Sequence, residues 1–109
     1  MSNKQRFLDY IGYYSKKNLH AISMMLAVDV TLRDWNISVS GKTAFLEETA
    51  NNFDSVETIQ IELCSMYENQ NIVAAELIIL VNGQIELPVV DVIAFDSSNQ
   101  IQSIRAYRG

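Results

Sequence analysis

Leu77-Ile78-Ile79-Leu80-Val81-Asn82-Gly83-Gln84-Ile85-Glu86-Leu87-Pro88-Val89-Val90-Asp91-Val92-Ile93-Ala94-Phe95 decides the fold class of this 109-residue chain. Two aliphatic, β-branched runs flank Asn82-Gly83, a pair that tolerates the positive φ of a tight turn, so the stretch predicts a β-hairpin. Neighbouring runs of the same character extend the meander. Strands are predicted over residues 57–67, 72–81, 84–95 and 101–108, joined by short polar turns. In the first of these, Ile59, Ile61 and Leu63 alternate with Thr58, Gln60, Glu62 and Cys64, which marks a half-exposed strand. The two strands of the hairpin are apolar on both faces, so something must cover each face. Helices would cover one, and a second copy of the chain the other, giving a homodimer through the outer sheet face.

Upstream of the strands the period changes. Phe7, Tyr10, Ile11 and Tyr14 recur at spacings of three and four, one face of a helix over residues 4–17 capped by Ser2 or Asn3. Asn18 caps a shorter helix carrying Leu19, Ile22, Met25 and Leu26, which gives way at residues 27–29. Short extended pieces at Val30-Leu32 and residues 37–39 follow, with Asp34 at a strand end or turn between them. Gly41 opens a third helix over residues 43–53, with Ala44, Phe45, Leu46 and Ala50 on its apolar stripe. Helices first and a strand meander afterwards predict one α+β domain over residues 1–109, three N-terminal helices packed on a curved antiparallel sheet.

Composition excludes several function classes. A formal charge of −5, with only eight basic residues and those scattered, repels phosphate backbones and anionic lipid, so neither nucleic acid nor membrane is an expected partner. The longest aliphatic run, Leu77 to Val81, is too short to span a bilayer, and residues 1–6 are polar with no apolar run of signal-peptide length after them. A single cysteine, Cys64, forms no intramolecular disulfide and suits a reducing compartment, so the chain reads as cytoplasmic. Within its strand Cys64 is expected as a small core residue. The sequence contains no clustered metal ligands, Gly-rich phosphate loop or Ser-His-Asp order, so no metal and no cofactor is expected. His20, early in the second helix, reads as a surface or capping residue.

Four polar residues interrupt apolar patterns. Asp91 shares its strand face with Leu87, Val89, Ile93 and Phe95, where a carboxylate loses hydration and must find a partner, reach water or keep its proton. Two readings stay open: a protonated hydrogen-bond donor, or an ion pair with Arg105 if the last hairpin sets those residues opposite each other. A shift of one residue would put Ala106 there instead. Asp34 reads either as a turn aspartate or as a carboxylate whose basicity Trp35 raises by shielding it. Tyr10 lies on the apolar stripe of the first helix, and its phenol needs a partner if buried. Glu76 would share the Asp91 face under simple pairing across Asn82-Gly83, whereas a bulge would turn it to solvent.

Taken together these positions resemble the ketosteroid isomerase and SnoaL-like branch of the nuclear transport factor two-like superfamily. Asn18 through Asp34 resembles that family's second helix and the strand that ends on the isomerase's general-base aspartate. Tyr10 falls where the isomerase has its oxyanion-hole tyrosine, and Gly41-Lys42-Thr43-Ala44 resembles the start of the third helix. Pro88 through Phe95, followed by Ile104-Arg105-Ala106-Tyr107, resembles the last two strands and puts Asp91 on the protonated oxyanion-hole aspartate. The sequence departs from the family at Thr49, where a supporting tyrosine is common, at Trp35, where proline is usual, and in ending soon after its last strand.

The resemblance implies a cystatin-like cone with a pocket for a small apolar ligand. It also implies an isomerase-like proton transfer on a carbonyl compound, with Asp34 as base and Tyr10 plus neutral Asp91 holding the enolate oxygen. Trp35, Tyr14, Phe53 and Ile93 are the expected ligand contacts. The alternatives are a non-catalytic ligand-binding or association domain and a polyketide-cyclase-like enzyme.

Overall fold

The computed structural model describes residues 2–109. Helix α1 spans Asn3–Ser15, with the Ser2 side chain accepting from the Gln5 backbone N–H and burying Phe7, Tyr10 and Ile11. Helix α2 covers Leu19–Ser23, capped by Asn18. It is shorter than its periodicity suggests: Leu26 opens strand β1, Leu26–Arg33, and Met25 precedes it. The β-branched pattern from Val28 to Leu32 prevails there over helical spacing, and the Ile101 N–H, bonding to the Met25 carbonyl at 2.8 Å, draws the chain into the sheet. Strand β2, Ser38–Ser40, and helix α3, Lys42–Ser55, follow. Gly41 stands between them at φ +92°, a backbone geometry glycine takes without strain.

Strands β3 (Ile59–Asn69), β4 (Ile72–Val81), β5 (Ile85–Phe95) and β6 (Ile101–Arg108) complete a six-stranded sheet in the order β2-β1-β6-β5-β4-β3. The sheet is not wholly antiparallel as expected, because β1 runs parallel to β6. The long crossover between those strands, through α3 and the meander, makes a parallel neighbour possible. The three helices pack on the inner face around a core that includes Phe7, Ile22, Phe45, Leu77, Ile93 and Phe95.

Two local irregularities set the faces. Between β3 and β4 the register slips by one at Cys64, which is exposed at this bulge and is not the core residue expected. Between β4 and β5 the turn is not two residues long. Val81 pairs with Ile85, while Asn82 and Gly83 both take positive φ and the Gln84 N–H bonds the Val81 carbonyl. The extra residue sets Glu76 opposite Val90, on the outer face, and so away from Asp91. No helix among the described residues is long and apolar enough to cross a membrane.

Candidate functional site

A cavity of about 420 Å³ opens between the helices and the inner face of the sheet. Isoleucine and valine side chains from β3 and β4, with Leu87 and Val89 from β5, line its apolar wall. Tyr10, Tyr14, Asp34 and Asp91 all face it, so the three acid and phenol groups singled out in the sequence converge on one space.

Asp91 arrives from the middle of β5. Its neighbours in register are Ala75 on β4 and Ala106 on β6, whose small side chains leave its carboxyl room toward the cavity. The last hairpin therefore takes the register that excludes the ion pair: Arg105 stands opposite Val92 and lies on the other face. Burial, and secondarily the negative charge of Asp34, push the Asp91 carboxyl up to about 7.

Tyr10 is 5% exposed on α1. Burial raises its phenol well above 10, with Tyr14 and Asp91 adding in that order, so it remains a hydrogen-bond donor. Tyr14 lies one helical turn further on, its ring 5.9 Å from that of Tyr10 and edge-on to Phe53 at 4.9 Å. Burial pushes the Tyr14 phenol up to about 12, against a hydrogen bond donated by Asn52 that lowers it. That bond occupies a lone pair of the Tyr14 hydroxyl and leaves its hydrogen free to donate elsewhere.

Asp34 follows β1 directly. Its Oδ1 accepts from the backbone N–H groups of Asn36 at 2.7 Å and Ile37 at 2.9 Å. The turn reading is the one observed: the Asx-type turn fixes the carboxylate, and Oδ2 takes no part in those bonds. Trp35, 42% exposed, lines the mouth beside it with Asn36 and Glu48.

Of the expected ligand contacts, Trp35 and Tyr14 line the cavity. Phe53 and Ile93 do not: Ile93 is sealed in the core, and Phe53 supports the Tyr14 ring from behind. Glu76 is exposed on the outer face, where it accepts from the Ser65 hydroxyl, and His20 is exposed outside the cavity. Asn52 escaped the sequence reading because Asn51-Asn52 looks like a helix terminator. The helix continues to Ser55, and a spacing of three from Thr49 is the signal that would have placed Asn52 near the pocket.

No protein-family profile matches the chain, and no curated protein matches it. Solved structures do. A candidate SnoaL-like polyketide cyclase from Shewanella denitrificans OS-217 is similar with a TM-score of 0.88 at 14% identity, covering 98% of this chain and 90% of that one. The epoxide hydrolase/cyclase-like enzyme SalBIII, of pyran ring formation in salinomycin, is similar with a TM-score of 0.85 at 21% identity, over 98% of this chain and 90% of its own. An NTF2-like protein of unknown function from Cytophaga hutchinsonii ATCC 33406 is similar with a TM-score of 0.83 at 16% identity, over 100% and 91%. The chain therefore has the α+β cone fold of the nuclear transport factor two-like, SnoaL-like proteins.

Proposed function

We propose that this is a small-molecule pocket protein whose cavity performs proton transfer on an apolar carbonyl compound. The observation that carries the reading is Asp91: a carboxyl with no cationic partner in its register, held near 7 by burial, in the same cavity as Asp34 and Tyr10. Two carboxyls in one pocket with different environments suit a split of labour in which one acts as base and the other as acid donor.

In this mechanism Asp34 takes a proton from the carbon between a carbonyl and a β,γ double bond. The electron pair moves into the carbonyl and leaves an enolate oxygen, which accepts hydrogen bonds from the Tyr10 hydroxyl and the protonated Asp91. Asp34 then returns the proton at the γ carbon, and the double bond ends in conjugation. The apolar wall suits a hydrophobic ligand body, and Trp35 and Tyr14 flank it. Conversion of a β,γ-unsaturated ketone to its conjugated isomer, followed by ultraviolet absorbance, tests the mechanism against Asp34→Asn.

A second reading, cyclisation of a polyketide-like or epoxide substrate with the same acids, draws on the printed descriptions of two of the similar structures. A non-catalytic ligand-binding role would leave the Asp34→Asn variant functional.

We also propose that the chain is a homodimer through its outer sheet face, where Ile78, Leu80, Pro88, Val90 and Val92 are half-buried or exposed. The free thiol of Cys64 fits a reducing, cytoplasmic setting.

A further inference from the structure

The outer face of the sheet carries its charge on opposite flanks of the apolar strip on β5. On one flank, Arg105 of β6 is level with Val92 of β5 and with Arg33 of β1, so two arginines are cross-strand neighbours. Arg33 donates to the Tyr107 hydroxyl at 3.2 Å. The Arg105 Nε is shut off from solvent and has no acceptor among the described residues. That Nε is covered by the chain's own atoms, so an anion on the outer face meets the Arg105 guanidinium through its Nη groups, with the second cation of Arg33 on the neighbouring strand. On the other flank, Glu76 of β4 is level with Val90 and is exposed, bonded to Ser65.

We propose that Arg105 of one protomer pairs with Glu76 of a second copy, twice per dimer, across the outer sheet face. This rests on the reading of that face as the homodimer interface. Two sheets stacked about a two-fold axis along β5 bring the β6 flank of one over the β4 flank of the other. Arg105 is level with Ala74 through Val92, and Glu76 is the next same-face residue along β4, about 7 Å away. Sheets stack about 10 Å apart with their strands some 30° out of line, a gap and a step that an arginine and a glutamate span together. An axis across the strands at the level of Arg105 would instead set Arg105 and Arg33 against their own copies, in like-charge contact. In a chain of net charge −5, the two cross-subunit pairs also offset the repulsion between copies.

The test is sedimentation equilibrium on the full chain, with circular dichroism melts to establish that each variant is folded. Wild type is expected to be dimeric at micromolar concentration. Glu76→Arg and Arg105→Glu are each expected to raise the dimer dissociation constant at least ~10-fold, and the double reversal to restore it to within a few-fold. Glu76→Gln, at an exposed position, weakens association in the same direction and keeps the test informative if a reversal does not fold. A dimer unaffected by Glu76→Arg and Glu76→Gln, or a double reversal no tighter than the singles, overturns the pairing while leaving the interface in place. A monomeric wild type overturns both.

Discussion

Replacing Asp91 by asparagine probes the site without any knowledge of the ligand. In the folded chain the Asp91 carboxyl is raised from 3.8 to about 7, first by burial and then by the charge of Asp34. Between those values the unfolded chain has lost the proton that the folded chain keeps, so stability falls as pH rises through this window. Below about pH 4 both states are protonated and nothing is lost; above about 7 the loss is complete. A rise of about 3 pH units at about 1.36 kcal/mol each gives about 4 kcal/mol, an upper value because Asp91 is half-buried and faces the cavity. Asparagine keeps the shape and cannot ionise. Urea unfolding of both proteins at pH 4 and pH 8, at one protein concentration, should therefore show the variant gaining about 2–4 kcal/mol on wild type between the two pH values. An unchanged difference between them would refute the buried, unpaired carboxyl and with it the donor role.

Other expectations follow from the same geometry. If Asp34 contributes to the raised Asp91 carboxyl, Asp34→Asn should lower the Asp91 titration midpoint, read by carbon NMR of the carboxyl; an unmoved midpoint would mean the two acids do not share a field. Turnover that needs neutral Asp91 should decline as pH rises through about 7, and a rate flat to pH 9 would contradict that need. Tyr10→Phe should cost about 10²–10³ in turnover number with the fold intact, as loss of one oxyanion donor does; near-wild-type turnover would remove Tyr10 from the chemistry. Ile93→Ala should cost about 2–5 kcal/mol in unfolding free energy and leave ligand affinity unchanged, since Ile93 is core and not cavity wall.

Much of this architecture could be read from residue patterns because strand alternation and helix caps are local. Ser2, Asn18 and Gly41 mark the helix starts as expected, and the four long strands lie close to their predicted bounds. What failed was decided between elements. Leu26 is spaced for a helix, yet pairing with β6 makes it a strand residue, and no local signal reports a parallel neighbour 75 residues away. Glu76 changed faces because its pairing depends on one extra residue in the turn, and Cys64 is exposed at the bulge of its strand instead of buried in the core. The same one-residue sensitivity left Asp91 open between Arg105 and Ala106 until the register was known. The convergence of Tyr10, Asp34 and Asp91 came from resemblance to a family, since they lie on three different elements. Ile93 and Phe53 show its limit, because sharing a face or a helix with site residues does not place a side chain in the cavity.

Proton abstraction by Asp34 in this cavity is the step on which the proposed function depends. Its most direct test is isomerisation of β,γ-unsaturated ketones, steroidal and smaller, by wild type and Asp34→Asn, followed by ultraviolet absorbance. Turnover by wild type and a loss of about 10²–10⁴ in the variant are expected. Equal turnover by the two proteins, or none by wild type on any of these ketones, would contradict it.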